Sequence, residues 1–200
     1  ISATGAGTTA VGENADPAHP FNASRLPLVA DFTFNGQTIT VIGNHFSSKN
    51  GSGALMGSQP PLNNSEDARA EQAQAVNTYV DSLLAANPDA RVVIAGDLNE
   101  FEFEEPMLVL EGTATYVNGV FTAGGEQVLH AMIESLPVNQ RFDYIFDGNA
   151  QSLDHIYAST AARAGALYDI VHLNAEFANQ VSDHDALVAS FDMSTPLTTE

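Results

Sequence analysis

The sequence contains no cysteine, which excludes disulfide bridges and thiolate metal centres and leaves oxygen and imidazole as the available metal ligands. It also leaves the redox compartment open, because a chain without thiols tolerates either environment. Basic residues are scarce, with six Lys and Arg against 25 Asp and Glu and a formal net charge of −19. That balance excludes a protein that coats a polyanion through a broad electrostatic footprint. An enzyme gripping one phosphodiester through divalent cations remains compatible with it, because the cations reverse the local field. No apolar run approaches the roughly 20 residues of a membrane-spanning helix, and no basic-then-apolar segment opens the chain. The chain starts at Ile1 rather than Met, so a trimmed or processed product is expected.

What is present suffices for a folded domain: 200 residues, 44% of them apolar, can enclose one sizeable core. Residues 1–24 are rich in Gly, Ala, Thr, Asn and Pro without a sustained period, and are expected to be an irregular lead-in. From Pro27 to Phe34 and from Gln37 to Asn44, β-branched and aromatic residues flank Asn35-Gly36, the preferred chemistry of a two-residue hairpin turn. The second of these strands delivers Asn44-His45-Phe46 at its end. Residues 46–64 carry the Gly, Pro, Ser and Asn of a long surface loop, a common border of substrate sites.

Ser65 is placed to cap a helix with Glu66 and Asp67 in its first turn, Ala73, Val76, Val80, Leu83 and Leu84 on one face, and an end at Asn87-Pro88. Arg91–Ala95 reads as a buried strand that stops at Gly96-Asp97-Leu98-Asn99-Glu100. Pro106–Leu110 and Val128–Leu136 read as short helices. Phe142–Phe146, Leu153–Ala158, Asp169–Leu173 and Ala186–Phe191 read as strands. The expected organisation is one domain over residues 25–193 and a frayed tail over 194–200.

Four polar clusters stand at strand ends: Asn44-His45, Asp97 with Asn99, Asp154-His155 and Asp183-His184-Asp185. Hydrolysis of a phosphodiester needs an activated water, a group or cation to neutralise the leaving oxygen, and donors for the non-bridging oxygens. Two histidines, several carboxylates and an amide supply that set. An oxygen-rich cluster favours magnesium, with calcium or manganese as substitutes. Taken singly each residue has a plainer reading. Asp-Xaa-Asn forms turns, His45 can be a satisfied core histidine, and Asp183-His184-Asp185 can cap. His155 is expected to pack beside Asp154, Lys49 to be solvated, and Arg69 with Gln72 to join a salt-linked or amide network. His19, His130 and His172 are left as structural.

Taken together and in order, Asn44-His45-Phe46, Gly96-Asp97-Leu98-Asn99, Ser152-Leu153-Asp154-His155-Ile156 and Ser182-Asp183-His184-Asp185 resemble the deoxyribonuclease I-like endonuclease/exonuclease/phosphatase superfamily. The stretch from Arg141 to Gln151 is similar to its large secreted bacterial nucleases. The resemblance, which covers residues 25–192, implies the C-terminal half of a four-layer αββα sandwich with a mostly antiparallel mixed sheet. It implies metal-dependent hydrolysis of DNA first, and of RNA second, with low sequence specificity, outside the cell.

The implied roles follow position by position. His45 contacts the scissile phosphate and assists leaving-group protonation. Asp97 and Asn99 position the attacking water and bind phosphate. Asp154 orients His184, which polarises or deprotonates water, and Asp183 binds metal. The family also carries an asparagine and a glutamate upstream of the hairpin, and Glu13 is a poor substitute. A missing N-terminal half, possessed by the same protein or supplied as a separate chain, is therefore expected, with low activity for this piece alone. Alternatives are a sphingomyelinase-like lipid or small-molecule phosphodiesterase, and a non-catalytic structural or binding fragment of a larger extracellular protein.

Overall fold

The computed structural model describes residues 2–8, for which the backbone course is given, together with 19–22 and 24–194. The first expectation to fail is the wholly irregular lead-in. Ser2–Thr8 forms strand β1, antiparallel to β2 (Leu28–Phe34), with a register shift between Thr4 and Thr8. Its Gly and Ala have low intrinsic strand preference. The open edge of β2 supplies the hydrogen-bonding template that composition does not reveal. The turn that follows at residues 19–22 is anchored by Phe21, which is fully buried in the core. The frayed tail expected over 194–200 lies, apart from Ser194, outside the described residues.

The hairpin stands where expected. β2 pairs with β3 (Gln37–His45) across Asn35-Gly36, whose φ values of 52° and 74° are the left-handed pair that such a turn requires. Helix α1 (Glu66–Ala86) follows the long loop, and its end at Asn87 is also as expected. Ser65 occupies the N-cap position with φ 60° but its side chain makes no capping bond. Strand β4 (Arg91–Asp97) then pairs parallel with β3, and helix α2 (Glu105–Glu111) packs on α1. A small hairpin of β5 (Ala114–Val117) and β6 (Val120–Ala123) turns at Asn118-Gly119.

The helix expected over Val128–Leu136 is instead strand β7 (Leu129–Ala131) running into a 3₁₀ turn, Met132–Ser135. Periodicity could not separate the two forms in so short an apolar run, and pairing with a neighbouring strand decides it. That neighbour is β10 (Asp154–Ser159), which follows the short hairpin of β8 (Tyr144–Phe146) and β9 (Asn149–Gln151). A single-turn helix α3 (Thr160–Arg163) leads to β11 (Leu167–Val171) and β12 (Ala186–Ser190), an antiparallel pair of their own.

The result is a mixed α/β fold whose main sheet has the order β1-β2-β3-β4-β10-β7 and one parallel pair, β3 with β4. Register aligns Val29, Ile42, Ile94, Tyr157 and Ala131 across five strands. All are buried in one core with Ala73, Val76 and Val80 of α1. On the opposite face of β2, Leu28 and Phe34 are each 54% exposed.

Candidate active site

Register alone assembles the first half of the site. His45 of β3 is paired with Asp97 of β4, and Asp97 with Asp154 of β10. Laterally paired residues point to the same face of a sheet, so these three side chains form a row at one edge, each strand about 4.8 Å from the next. Gly96 makes the row possible. Its φ is 140°, and a Cβ there would lie 1.9 Å from the carbonyl oxygen of Asn44. Only glycine lets β4 approach β3 this closely just before Asp97.

Within the row, His45 Nε2 lies 3.3 Å from Asp97 Oδ2. The other oxygen, Oδ1, accepts the backbone N–H of Asn99 at 2.9 Å. That bond turns the chain back on itself, with Asn99 at φ 51°, and brings the Asn99 amide, which donates to the Phe46 carbonyl, onto the rim of the cleft. Burial and the nearby charge of Asp154 raise the pKa of Asp97, against the Asn99 hydrogen bond and the His45 charge.

His184 reaches the row from the loop before β12. Its Nδ1 is hydrogen-bonded to Asp154 Oδ2. That bond pushes its pKa up to about 9. Nδ1 is thus engaged, and Nε2 is the ring's other polar atom at the cleft. The nearby backbone is locked too: Asp185 N–H donates to Asp143 O at 2.7 Å, and the Asn174 amide donates to His184 O at 2.9 Å.

Two residues at this centre were not singled out in the sequence. The Asp143 carboxylate is fully buried, 3.8 Å from His184 Nδ1, and accepts from the N–H groups of Leu153 and Asp154 and from Ser152 Oγ. Burial, aided by repulsion from Asp154, pushes its pKa up to about 7. Its signal was an Asp leading directly into an apolar strand, as at Asp154.

The second is Glu100, whose side chain has no exposure and accepts from Arg69, Lys49 and Asn63. Burial opposes its ionisation, but the Arg69 and Lys49 charges outweigh it and hold the carboxyl below its ordinary range. This network bears out the expected salt linkage of Arg69. It corrects the solvated reading of Lys49, which is largely buried, bound to Glu100 and Asn63, and 4.6 Å above the Phe101 ring. A sequence cannot show that a residue next to Asn99 turns inward.

Two further histidines stand off the cleft wall. His155 is buried, with Nε2 2.7 Å from the Glu100 carbonyl, and His172 stacks on Phe142 and pairs with Asp185 at 3.0 Å. His45, Asp97, Asn99 and His184 all line one cleft of about 740 Å³, with Asp154 directly behind His184. Asp183 is exposed beside this group and is not part of the cleft wall.

Donor chemistry tests the fit of a cation. Among the described residues, Asp143, Asp154 and His184 offer ligand atoms within 4.8 Å of one another. Asp143 already accepts three donors, and Asp154 holds the imidazole, so the ligand atoms of this trio are engaged with one another and with the backbone. Asp97, Asn99 and Asp183 carry oxygens of the hard type that magnesium and calcium take; Asp97 already holds the Asn99 N–H and faces His45.

A family model described as Endonuclease/Exonuclease/phosphatase family matches residues 10–173. No curated protein matches the sequence. Among solved structures, truncated TDP2 of Caenorhabditis elegans is similar at a TM-score of 0.58 and 16% identity, covering 84% of this chain and 59% of that one. Sphingomyelinase C of Streptomyces griseocarneus gives 0.52 and 15% over 84% of this chain and 58% of that one. Beta toxin 275-280 of Staphylococcus aureus gives 0.51 and 18% over 83% and 57%. These likenesses carry the fold, and this chain spans between half and three-fifths of each of those three chains. With the family match extending over most of its length and the His–Asp pairs gathered at one sheet edge, the chain belongs to the endonuclease/exonuclease/phosphatase family.

Proposed function

We propose that the cleft hydrolyses phosphodiesters as a metal-dependent endonuclease of low sequence specificity, acting on DNA first and RNA second, outside the cell. The observation that carries this reading is the pair of histidine–carboxylate couples, His45 with Asp97 and His184 with Asp154, whose two imidazoles line one cleft. Two imidazoles with different partners suit two proton-transfer tasks at one phosphorus.

His184, held by Asp154, presents Nε2 to the water side of the phosphate and takes its proton when deprotonated. His45 faces the leaving oxygen, with Asp97 fixing its ring. The Asn99 side chain contributes to holding a non-bridging oxygen. Asp97, Asn99 and Asp183 would hold a divalent cation of the magnesium type, which supplies positive charge for the phosphate oxygens and the leaving group. A further segment of the family's domain, on the same protein or another chain, is the proposed partner. The half-exposed Leu28 and Phe34 are where it would cover the sheet.

Plasmid nicking tests the reading, with magnesium against chelator and with this chain alone against the chain joined to a completing segment. Activity is expected to require metal and to be highest in the completed protein. His184→Ala and His45→Ala should each lower turnover on the order of a hundredfold or more while the fold persists. Wild-type rates in either variant would refute the roles. Turnover of sphingomyelin vesicles without nicking would replace the nuclease reading with a lipid one, to which the 90% exposed Met56 on the cleft rim would then contribute.

A further inference from the structure

The cleft has little with which to grip a nucleic-acid backbone. The whole chain has six basic residues, and the cleft wall carries two, Arg25 and Lys49. Lys49 is paired with Glu100, and Arg25 donates to the Phe46 carbonyl at 3.3 Å. Phosphate contacts that release counterions supply most nonspecific affinity for a duplex, and a site with so few cations forgoes it. The basic side chains of this wall thus supply little of that grip, and the nucleobase is a second part of the substrate on which affinity can rest.

The β8–β9 hairpin offers that part a surface. Tyr144 and Phe146, two residues apart on β8, lie on the same side and their rings are nearly parallel, 14° apart with centroids at 6.3 Å. The Tyr144 ring in turn stacks on His184 at 4.6 Å. The three rings form a continuous shelf along the cleft wall that starts at a proton-transfer group and ends at Phe146, which is 54% exposed. Asn149 and Gln151 of β9 add amide groups to the same wall. The tip of the hairpin, Asp147-Gly148, is polar and exposed. An apolar element built to enter a bilayer would carry its hydrophobic groups at the tip. Here the aromatic groups face the cleft.

We infer that Tyr144 and Phe146 stack an unpaired nucleobase next to the scissile phosphate, making single-stranded nucleic acid the preferred substrate. The inference rests on the nuclease reading above and names its substrate class. Every base has a π-face, so stacking gives affinity without sequence preference, and pairing within a duplex withholds that face.

The test compares the magnesium-loaded chain on matched single-stranded and duplex oligonucleotides. Wild type should show the higher kcat/KM on the single strand. Phe146→Ala should lower that value about five- to a hundredfold, mainly through KM. Phe146→Tyr should restore it and Phe146→Leu should not. Removing the base beside the labile phosphate should cost the wild type a similar factor and cost Phe146→Ala little more. Phe103→Ala removes an aromatic that is 67% exposed but outside the cleft wall, and should leave the single-strand preference as it was.

A binding arm keeps the outcome independent of turnover. With five tyrosines and no tryptophan, the chain's ultraviolet fluorescence reports tyrosine directly. A non-hydrolysable single-stranded phosphorothioate should quench it, and a Tyr144→Phe variant should lose most of that quenching. Full activity in Phe146→Leu, equal losses on base-containing and abasic strands, or absent quenching would overturn the shelf. Equal cleavage of both strand forms would overturn the shelf and leave the nuclease reading standing. Vesicle hydrolysis with neither cleavage nor quenching would overturn both.

Discussion

Arg69 and Glu100 form an ion pair from which solvent is wholly excluded: Nε and Nη2 of the guanidinium donate to the same carboxylate oxygen, Oε2, at 2.9 and 2.8 Å. The pair ties α1 to the turn that carries Asp97 and Asn99. Through Lys49, Asn63 and the Ser47 and Asn64 carbonyls it also ties down both ends of the 46–64 loop. Removing one member of such a pair leaves the other charge buried and uncompensated. Glu100→Gln should therefore destabilise the fold by roughly 3–5 kcal/mol, read as a drop in Tm or denaturation midpoint. A loss under about 1 kcal/mol would mean that water reaches Arg69.

Asp143 separates charge from hydrogen bonding. Asp143→Asn keeps an oxygen for the Leu153 and Asp154 N–H groups while removing the like charge beside Asp154. It should change stability by about 1 kcal/mol or less. Asp143→Ala strands those two donors and Ser152, and should cost about 2–4 kcal/mol and an order of magnitude or more in turnover, because the strand carrying Asp154 shifts. Chemical denaturation of both variants checks this. Equal losses in the two would deny the hydrogen-bonding role.

Glu111 sets a dependence on pH. Burial, with repulsion from Glu134, pushes its pKa from an ordinary 4.5 to about 7. A raised carboxyl pKa means that the folded state keeps its proton where the unfolded state has lost it. Its contribution is full below pH 4.5 and is lost as pH rises through 7. Asp143 titrates in the same window, so the informative quantity is the difference between wild type and Glu111→Gln. That variant should gain on the order of 2 kcal/mol over wild type at alkaline pH and nothing in acid, by urea unfolding across the range. A constant difference would refute the assignment.

Gly96→Ala places a methyl group against the Asn44 carbonyl, at a φ that side chains avoid. We expect a destabilisation of roughly 2–4 kcal/mol and loss of activity beyond what the fraction unfolded explains. Tm and residual turnover on the folded fraction measure both. Retention of wild-type activity would mean that the β3–β4 contact yields without disturbing His45 and Asp97.

The sequence made the row of His45, Asp97 and Asp154 legible because each residue ends or begins a strand with a clear β-branched or apolar signature. Asn35-Gly36 was readable for a similar reason, its turn geometry being written in two adjacent residues. The misreadings share another cause. β1 and β7 exist because a neighbouring strand offers free hydrogen-bonding groups, a property of partners distant in sequence. Glu100 and Asp143 look like any surface acid until the fold closes over them. Tyr144 and Phe146 had the alternation of a strand, but nothing local said that their rings would meet His184.

The row of His45, Asp97 and Asp154 and the residues proposed for substrate grip differ in how they are anchored. His45, Asp97 and Asp154 hang from three adjacent strands of the main sheet, whereas Phe146 and Met56 sit on a hairpin of two three-residue strands and a long loop. Local opening starts where buried contacts are few, so the rim can open while His45, Asp97 and Asp154 keep the spacing that strand pairing sets. Relatives with different loops could exchange substrates on such a frame without relearning the chemistry.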